Sequence, residues 1–553
     1  MVHLEDFFKE LSVDVDIQGQ KLVAKRPIPA GTLLMEQAPL TQVPLPSIRR
    51  QRCNYCLRRA SLQCCGRCRS AYFCSNTCFR NAWLHYHHVL CEPLEYDTYT
   101  NVDADRWLLE RAALTLHSHA RLNKHNSHSP PHLKYAIQAL ESYPQQFNSE
   151  NEDDQADAPV QVLHGVPPPD HATHTPGATT TCVPTVAIDF QDVSDMLAPF
   201  DCPFTAKELK QVQQQITLSR FDIWDPEQHL DKVGYGVYPI TTLCVAHSCL
   251  PNAAVTYRQD KQRIVALQDI APGDIISISY VDLTRPKQER MEDLRRRFGH
   301  DYVCSCDRCQ GSLAGLDALL TLPSATALRY DQAATILDDD INSWNMLATV
   351  KQLQTDQQFT GAIPKDTRMH PSEFSHYISR CINPEIYAKD QESIESFHSI
   401  QPFSAFARFA QPDMQLLTPL FERLAQLASV PAFSVSMILA AEAALRKYMD
   451  KQLWAEASRC ATYLFVVYRL VYPALHPVCS FHATVLAKTC WNFLVQMELA
   501  GIGSKTEKIY LHGIKTWIDV ARESAMNTFG QESSLYRDMV DLQWVFERDQ
   551  RLR

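Results

Sequence analysis

The sequence predicts a multidomain α+β protein, and three observations carry that prediction. At 553 residues the chain exceeds one ordinary domain, and 45% hydrophobic against 21% charged residues is the composition of folded, core-forming protein. Short β-type runs bounded by Pro, Gly and Asp fill much of residues 15 to 283, whereas the last 130 or so residues carry apolar positions spaced by three and four. Eleven of the nineteen cysteines stand in the tight spacings of metal ligands. Such spacing fits a reducing compartment, so cytoplasm and nucleus are both expected. The opening MVHLEDFFKE lacks a basic region followed by an apolar core, and no apolar run is long enough to span a bilayer, so no membrane association is expected. A net charge of −10 argues against a general nucleic-acid coat, and direct nucleic-acid binding is not expected.

Taken in order, residues 1–46 read as a short amphipathic opening followed by strands. The stretch from Gly19 to Leu40 has two β-type runs separated by Pro29, Ala30 and Gly31, read as a hairpin or meander. Residues 47–92 hold the densest cysteines. Cys53 and Cys56 are spaced C-x2-C, as are Cys65 and Cys68; Cys74 and Cys78 are C-x3-C, and His87 and Cys91 close as H-x3-C. Eight thiolate and imidazole ligands make two four-coordinate zinc sites with no position left for water, which is the structural rather than the catalytic kind. Cys64 is a spare, and of His85, His87 and His88 only His87 gives the closing spacing.

Residues 93–185 read as helices interrupted at 123 to 131, followed by an acidic, then Pro- and Thr-rich stretch at 148–184. That stretch has too few large apolar residues to offset its own ordering entropy and is expected to be a disordered insertion. Residues 186–285 return to order with a helix from Thr205 to Thr217. The apolar run Leu243 to Ala246 reads as the end of a buried strand, with the polar cluster His247, Ser248, Cys249, Pro251 and Asn252 behind it. A second strand spans Asp274 to Leu283 around Tyr280. Residues 286–312 hold Cys304, Cys306 and Cys309, three ligands in need of a fourth, for which Cys249 is the candidate. Residues 313–553 read as helical, with runs at 420 to 427, 435 to 448, 454 to 468, 481 to 498, 509 to 522 and 534 to 546. They suggest a tetratricopeptide-like array from about 410, without a clean 34-residue period.

The finger, the pair Tyr238-Pro239 followed by HSCLPN, then GDIISISYVDL and C-x-C-x2-C, in that order, resemble the SET and MYND domain (SMYD) family of protein-lysine methyltransferases across nearly the whole chain. The resemblance implies a β-rich SET core split by a MYND-type finger and a helical insert, a post-SET zinc cluster and an all-helical C-terminal domain. It implies interleaved zinc sites, with Cys53, Cys56, Cys74 and Cys78 on one ion, Cys65, Cys68, His87 and Cys91 on the second, and Cys249, Cys304, Cys306 and Cys309 on a third. It further implies S-adenosylmethionine as cofactor, bound near Gly19, Gln20, Lys21, Ser219, Ala246, His247, Tyr280 and Tyr302. Tyr280 is the implied catalytic residue, and Phe221, Tyr280 and His300 the walls of a substrate-lysine channel. The substrate would be a histone or non-histone protein lysine, and the finger would bind protein partners.

Four positions depart from the family pattern. Ala246 stands where the family has Asn, Lys21 where it has the second Gly of Gly-x-Gly, Ser219 where it has Asn, and His300 where it has a second channel Tyr. Alanine cannot reproduce asparagine's hydrogen bonds, and a lost buried partner costs roughly 1 to 3 kcal/mol. The alternative expectation is therefore a catalytically weak or inactive zinc-binding adaptor that uses the finger and helical domain for protein interaction.

Overall fold

A computed structural model describes residues 4–10, 15–92, 103–124, 131–142, 188–227, 230–310, 317, 320, 435–473, 475–501 and 504–552. The expected disordered insertion at 148–184, the unassigned stretch from 313 to 410 other than positions 317 and 320, and the helical run at 420 to 427 lie outside the described residues.

The architecture is mixed α+β. A short helix α1 (Leu4–Glu10) precedes β1 (Val15–Gln18) and β2 (Lys21–Ala24), which form an antiparallel hairpin; β3 (Leu33–Gln37) and β4 (Gln42–Pro44) follow. The hairpin or meander expected between Gly19 and Leu40 is absent as such. β2 pairs back onto β1, while β3 leaves to join a different sheet, because Ile28 bridges Ile270 and redirects the chain between them. The finger contributes β5 (Gln63–Cys64), β6 (Tyr72–Phe73) and α2 (Asn76–Ala82), whose first turn is capped by Ser75 accepting from the Cys78 amide. The insert contributes α3 (Ala104–Lys124) and α4 (Pro131–Glu141), on either side of the interruption read at 123 to 131.

Next come α5 (Phe190–Leu197), α6 (Ala206–Ser219), β7 (Arg220–Asp225), β8 (Asp231–Val237), α7 (Pro239–Cys244), β9 (Ala246–His247), β10 (Ala253–Arg258), β11 (Lys261–Ala266), β12 (Ser277–Ile278) and α8 (Lys287–Phe298). The start of α6 is held by a capping box in which Thr205 and Glu208 each satisfy the other's backbone amide. Three-stranded sheets form in the orders β10-β11-β3 and β4-β8-β7, and β12 runs parallel to β9.

Two strand expectations are corrected. Leu243 and Cys244 close the helical turn α7, which starts at Pro239 in the first helical position. Ile240, Thr241 and Cys244 are its buried face, a helical rather than an alternating pattern. Of the stretch from Asp274 to Leu283, only Ser277 and Ile278 are strand, because their sole ladder partner is the equally short β9.

Five helices close the chain: α9 (Val435–Asp450), α10 (Trp454–Val471), α11 (Pro477–Leu499), α12 (Ser504–Phe529) and α13 (Ser534–Leu552). His476 caps α11, with Pro477 at its first position, so the dipeptide that interrupts the helical series also begins the next helix. This layer is fastened to the β-rich part by named bonds. The Tyr472 hydroxyl donates to Asp282 at 3.0 Å and an Arg263 guanidinium nitrogen donates to the Phe529 carbonyl at 3.1 Å. Among the described residues no helix is long and apolar enough to cross a membrane.

Candidate functional site

The metal-type residues gather into three sets. Cys53, Cys56, Cys74 and Cys78 form one, Cys65, Cys68, His87 and Cys91 a second, and Cys249, Cys304, Cys306 and Cys309 a third, the ligand atoms of each lying within 4.8 Å of one another. The two finger sets interleave along the chain. The β5–β6 hairpin carries Cys65 and Cys68 between its strands, Cys74 follows β6, and Cys78 lies in the first turn of α2. His87 ends a π-helical turn, Trp83–His87, and is the member of the three neighbouring histidines that meets Cys68, at 3.8 Å from Nε2 to Sγ.

Sulfur separations test the fit to zinc. Zn–S bonds of about 2.3 Å in a tetrahedron put the sulfurs about 3.8 Å apart. Cys56 and Cys74 are 3.6 Å apart, Cys74 and Cys78 3.6 Å, Cys65 and Cys91 3.8 Å, and Cys249 and Cys309 3.6 Å. A disulfide would bring the sulfurs to about 2.05 Å, and the eleven cysteines of the three sets form none. Burial, with Arg111 and Arg49 nearby, pushes His87 down to about 4, which favours the neutral imidazole a metal requires. Cys64 is exposed and belongs to no set.

The third set joins the β-rich core to the segment after α8. Its sulfurs are met by donors: the Cys249 amide reaches Cys306 Sγ at 3.4 Å, and Arg290 Nη2 reaches Cys309 Sγ at 3.8 Å. Hydrogen bonds from Cys249, Cys304 and Cys309 hold the Cys306 thiol far below its ordinary value. Arg290 and Arg308, both fully buried, share Asp317 at 2.6 and 3.1 Å.

Beside this cluster lies an aromatic site built on the parallel β9–β12 pair. The Ala246 amide donates to the Ile276 carbonyl at 3.2 Å, the Ser248 amide to the Ile278 carbonyl at 3.0 Å, and the Tyr280 amide to His247 Nδ1 at 3.2 Å. Because Nδ1 accepts, the His247 proton sits on Nε2, which faces Cys249 Sγ at 3.4 Å. Burial is the first cause that pushes His247 down to about 4, so the ring is neutral. Both of its nitrogens are engaged within the protein, and its ring edge is what remains for a ligand.

Tyr280 is 1% exposed, and its hydroxyl donates to the carbonyls of Thr241 at 3.1 Å and Val245 at 3.0 Å. The turn α7 ends there, so the hydroxyl is fixed where backbone carbonyls converge. Phe221 faces Tyr280 with ring centroids 5.6 Å apart, and Tyr238 supports Phe221 from behind at 5.9 Å. Ser219 ends α6 fully buried, its carbonyl accepting from the Tyr238 amide at 2.8 Å. Phe298 and Tyr302, both half-buried, meet with centroids 5.0 Å apart and planes tilted by 33°, and Tyr302 meets the His247 ring at 6.5 Å.

Other expected residues lie elsewhere. Gly19 and Gln20 are the two exposed turn residues of the β1–β2 hairpin, both at positive φ (56° and 68°), as a tight two-residue turn requires. Gln20 therefore carries the left-handed conformation, and Lys21 begins β2 in an extended one. His300 is exposed beyond Gly299, and the ring standing against Tyr280 is Phe298, edge-on at 5.3 Å. Arg297, next to it, lies over Phe221 and Tyr280. Sequence reading missed both residues, although their place one helical turn from Leu294 and two from Arg290 in a helix running up to Gly299 was a usable signal.

A family model described as SET domain matches residues 19–281. The chain carries a SET domain. It is related at low identity to curated lysine methyltransferases. One relative is the N-lysine methyltransferase SMYD2 of Bos taurus, 26% identical over 294 residues, covering 53% of this chain and 58% of the relative; the Homo sapiens protein gives the same figures. Another is the Arabidopsis thaliana histone-lysine N-methyltransferase ASHR1, 21% identical over 501 residues and 89% of each chain. The chain thus spans under two thirds of the SMYD2 proteins it matches and most of ASHR1. The match to the SET model runs from the β1–β2 turn through Tyr280, takes in Cys249 and stops before Cys304, Cys306 and Cys309 of the third cysteine set.

Proposed function

We propose that the chain is an S-adenosylmethionine-dependent protein-lysine N-methyltransferase with three structural zinc ions, acting on histone or non-histone lysine in the cytoplasm, the nucleus or both. One observation carries the proposal: the Tyr280 hydroxyl, buried beside Phe221, is pinned to the carbonyls of Thr241 and Val245 beside the parallel pair of β9 and β12. Such a hydroxyl with its proton committed offers its oxygen lone pairs to an approaching amine, and the two carbonyls keep it from turning away.

When bound, S-adenosylmethionine supplies an electrophilic methyl group. The residues that fit it are the half-buried rings of Tyr302 and Phe298, either of which can meet a purine, with the edge of His247 beside them. In this reading Ala246, Ser219, Gly19, Gln20 and Lys21 would border the cofactor. Phe221 and Tyr280, already in ring contact with each other, would form one wall beside an aliphatic lysine stem. The three cysteine sets, each with tetrahedral spacing, hold zinc for folding. The finger at 47–92, the SET parts at 1–46 and 186–285, the segment at 286–312 and the helical remainder divide the labour, with protein partners on the finger.

Calorimetric titration with S-adenosylmethionine, followed by radiolabel transfer to a histone mixture, tests the proposal. Binding with transfer supports it, and no heat at millimolar cofactor overturns it. A second reading, a zinc-binding adaptor with weak or no catalysis, is favoured by Ala246 and by the exposed place of His300. Cofactor binding without transfer to protein would select it.

A further inference from the structure

Arg297 occupies an unusual place for a cation. It lies in the last turn of α8 and is 4% exposed, with its guanidinium carbon 4.9 Å from the ring centroids of both Phe221 and Tyr280 and 5.8 Å from that of Phe298. Nη2 donates to the Leu218 carbonyl at 2.7 Å and to the Arg220 carbonyl at 3.1 Å, so the group is clamped to the junction of α6 and β7. That junction carries Phe221. One side chain therefore fixes the spacing of the aromatic pair and sets a full positive charge against it.

Resting on the methyltransferase reading above, we propose that Arg297 is a positioning residue that keeps an acceptor lysine amine unprotonated where it meets Tyr280. A primary amine is a nucleophile only after its proton has left for solvent, and a neighbouring cation in a water-poor site favours the neutral form. The charged and titratable groups around the Phe221–Tyr280 pair bear on the sign. From β7 come Arg220 and Asp222, and Lys232 of β8 holds Asp222 at 3.0 Å. From the start of α7, β9 and β10 come Tyr238, His247 and Tyr257. From α8 come Arg290, paired with Asp317, and Asp293, which meets Arg285 at 3.5 Å and Arg296 at 2.6 Å. Beyond α8 lie His300 and Tyr302. Burial pushes the Tyr257 phenol up, with the Gln262 hydrogen bond opposing it and Asp222 and Arg297 acting in opposite directions after that.

The test compares wild type, Arg297→Gln and Arg297→Lys, with transfer to a histone mixture and to the chain itself followed from pH 7 to 10. In wild type the rising limb is expected below the ordinary lysine value of about 10.4. In Arg297→Gln it moves to higher pH by about one unit, a roughly tenfold loss at pH 8 that closes toward pH 10. Arg297→Lys keeps the wild-type limb while lowering the rate evenly, because the charge stays and the fork to two carbonyls is lost. A purely structural role lowers the rate at every pH without moving the limb, and that result overturns the inference alone. Should Arg297→Gln fail to fold, a wild-type limb at the ordinary lysine value also overturns it. Absence of any wild-type transfer overturns the methyltransferase reading and the inference with it.

Discussion

Cys249→Ser should lower the metal content of the purified protein from three equivalents per chain to two. The count follows from three separate four-ligand sets. Structural zinc in Cys-rich sites binds with apparent free energies of roughly 10–16 kcal/mol at neutral pH, so an intact site stays filled through purification and the content reads as an integer. Cys249 is the only ligand of its set that comes from the β-rich core; Cys304, Cys306 and Cys309 all follow α8. A serine there leaves three thiolates on one short segment, where the Cys249 sulfur had closed the tetrahedron 3.6 Å from Cys309. Elemental mass spectrometry of wild type, Cys249→Ser and Cys64→Ser measures it. Cys64 is exposed and outside every set, so its variant keeps three. A wild-type content of two, or three equivalents retained in Cys249→Ser, would refute the assignment of the third set.

Gly234→Ala should destabilise the β4–β8 pairing strongly, because an added Cβ would meet the Val43 carbonyl oxygen at 2.2 Å; a thermal scan matching wild type would contradict that packing. Ala246→Asn should tighten S-adenosylmethionine binding about tenfold by restoring one hydrogen bond at β9, read by calorimetry. Unchanged affinity would mean that β9 does not border the cofactor. His482 is pushed down to about 4 by burial, its Nε2 meeting the Ala461 carbonyl at 2.6 Å. A depressed histidine contributes stability that is present above its ordinary value near 6.5 and is lost as pH falls from there toward 4, worth roughly 3 kcal/mol. His482→Gln should flatten the melting-temperature profile over that window, and an unaltered profile would exclude His482 as its source.

Features set by local spacing were legible in the sequence. Eleven of the twelve metal-type residues declare themselves because short spacings clamp an edge of a tetrahedron wherever they fold, and Thr205 with Glu208 announces the start of α6. What escaped depends on partners distant in the chain. The apolar run ending at Cys244 looks like a strand until its partners are known, and six residues are too few for periodicity to separate helix from strand. The resemblance put His300 in the channel wall, but the ring that meets Tyr280 edge-on is set by how far α8 runs before Gly299 ends it, and that brings round Phe298, with Arg297 beside it. The left-handed positions of the β1–β2 turn are Gly19 and Gln20, which strand pairing rather than the motif decides.

The pairing of β4 with β8 bears on the order in which the molecule is made. Gln42 lies opposite Gly236, with the finger and the helical insert translated in between, and β3 pairs with β11, later still. Emerging from the ribosome, β3 and β4 have no ladder partners until most of the N-terminal half is synthesised, and pairing over such a separation is slow. The finger, whose eight ligands span residues 53 to 91, needs no later chain and can close on its own ions first. Nascent β3 and β4 then wait beside a finished module, so a pulse-labelled growing chain should gain protease resistance in the finger before it does in β3 or β4.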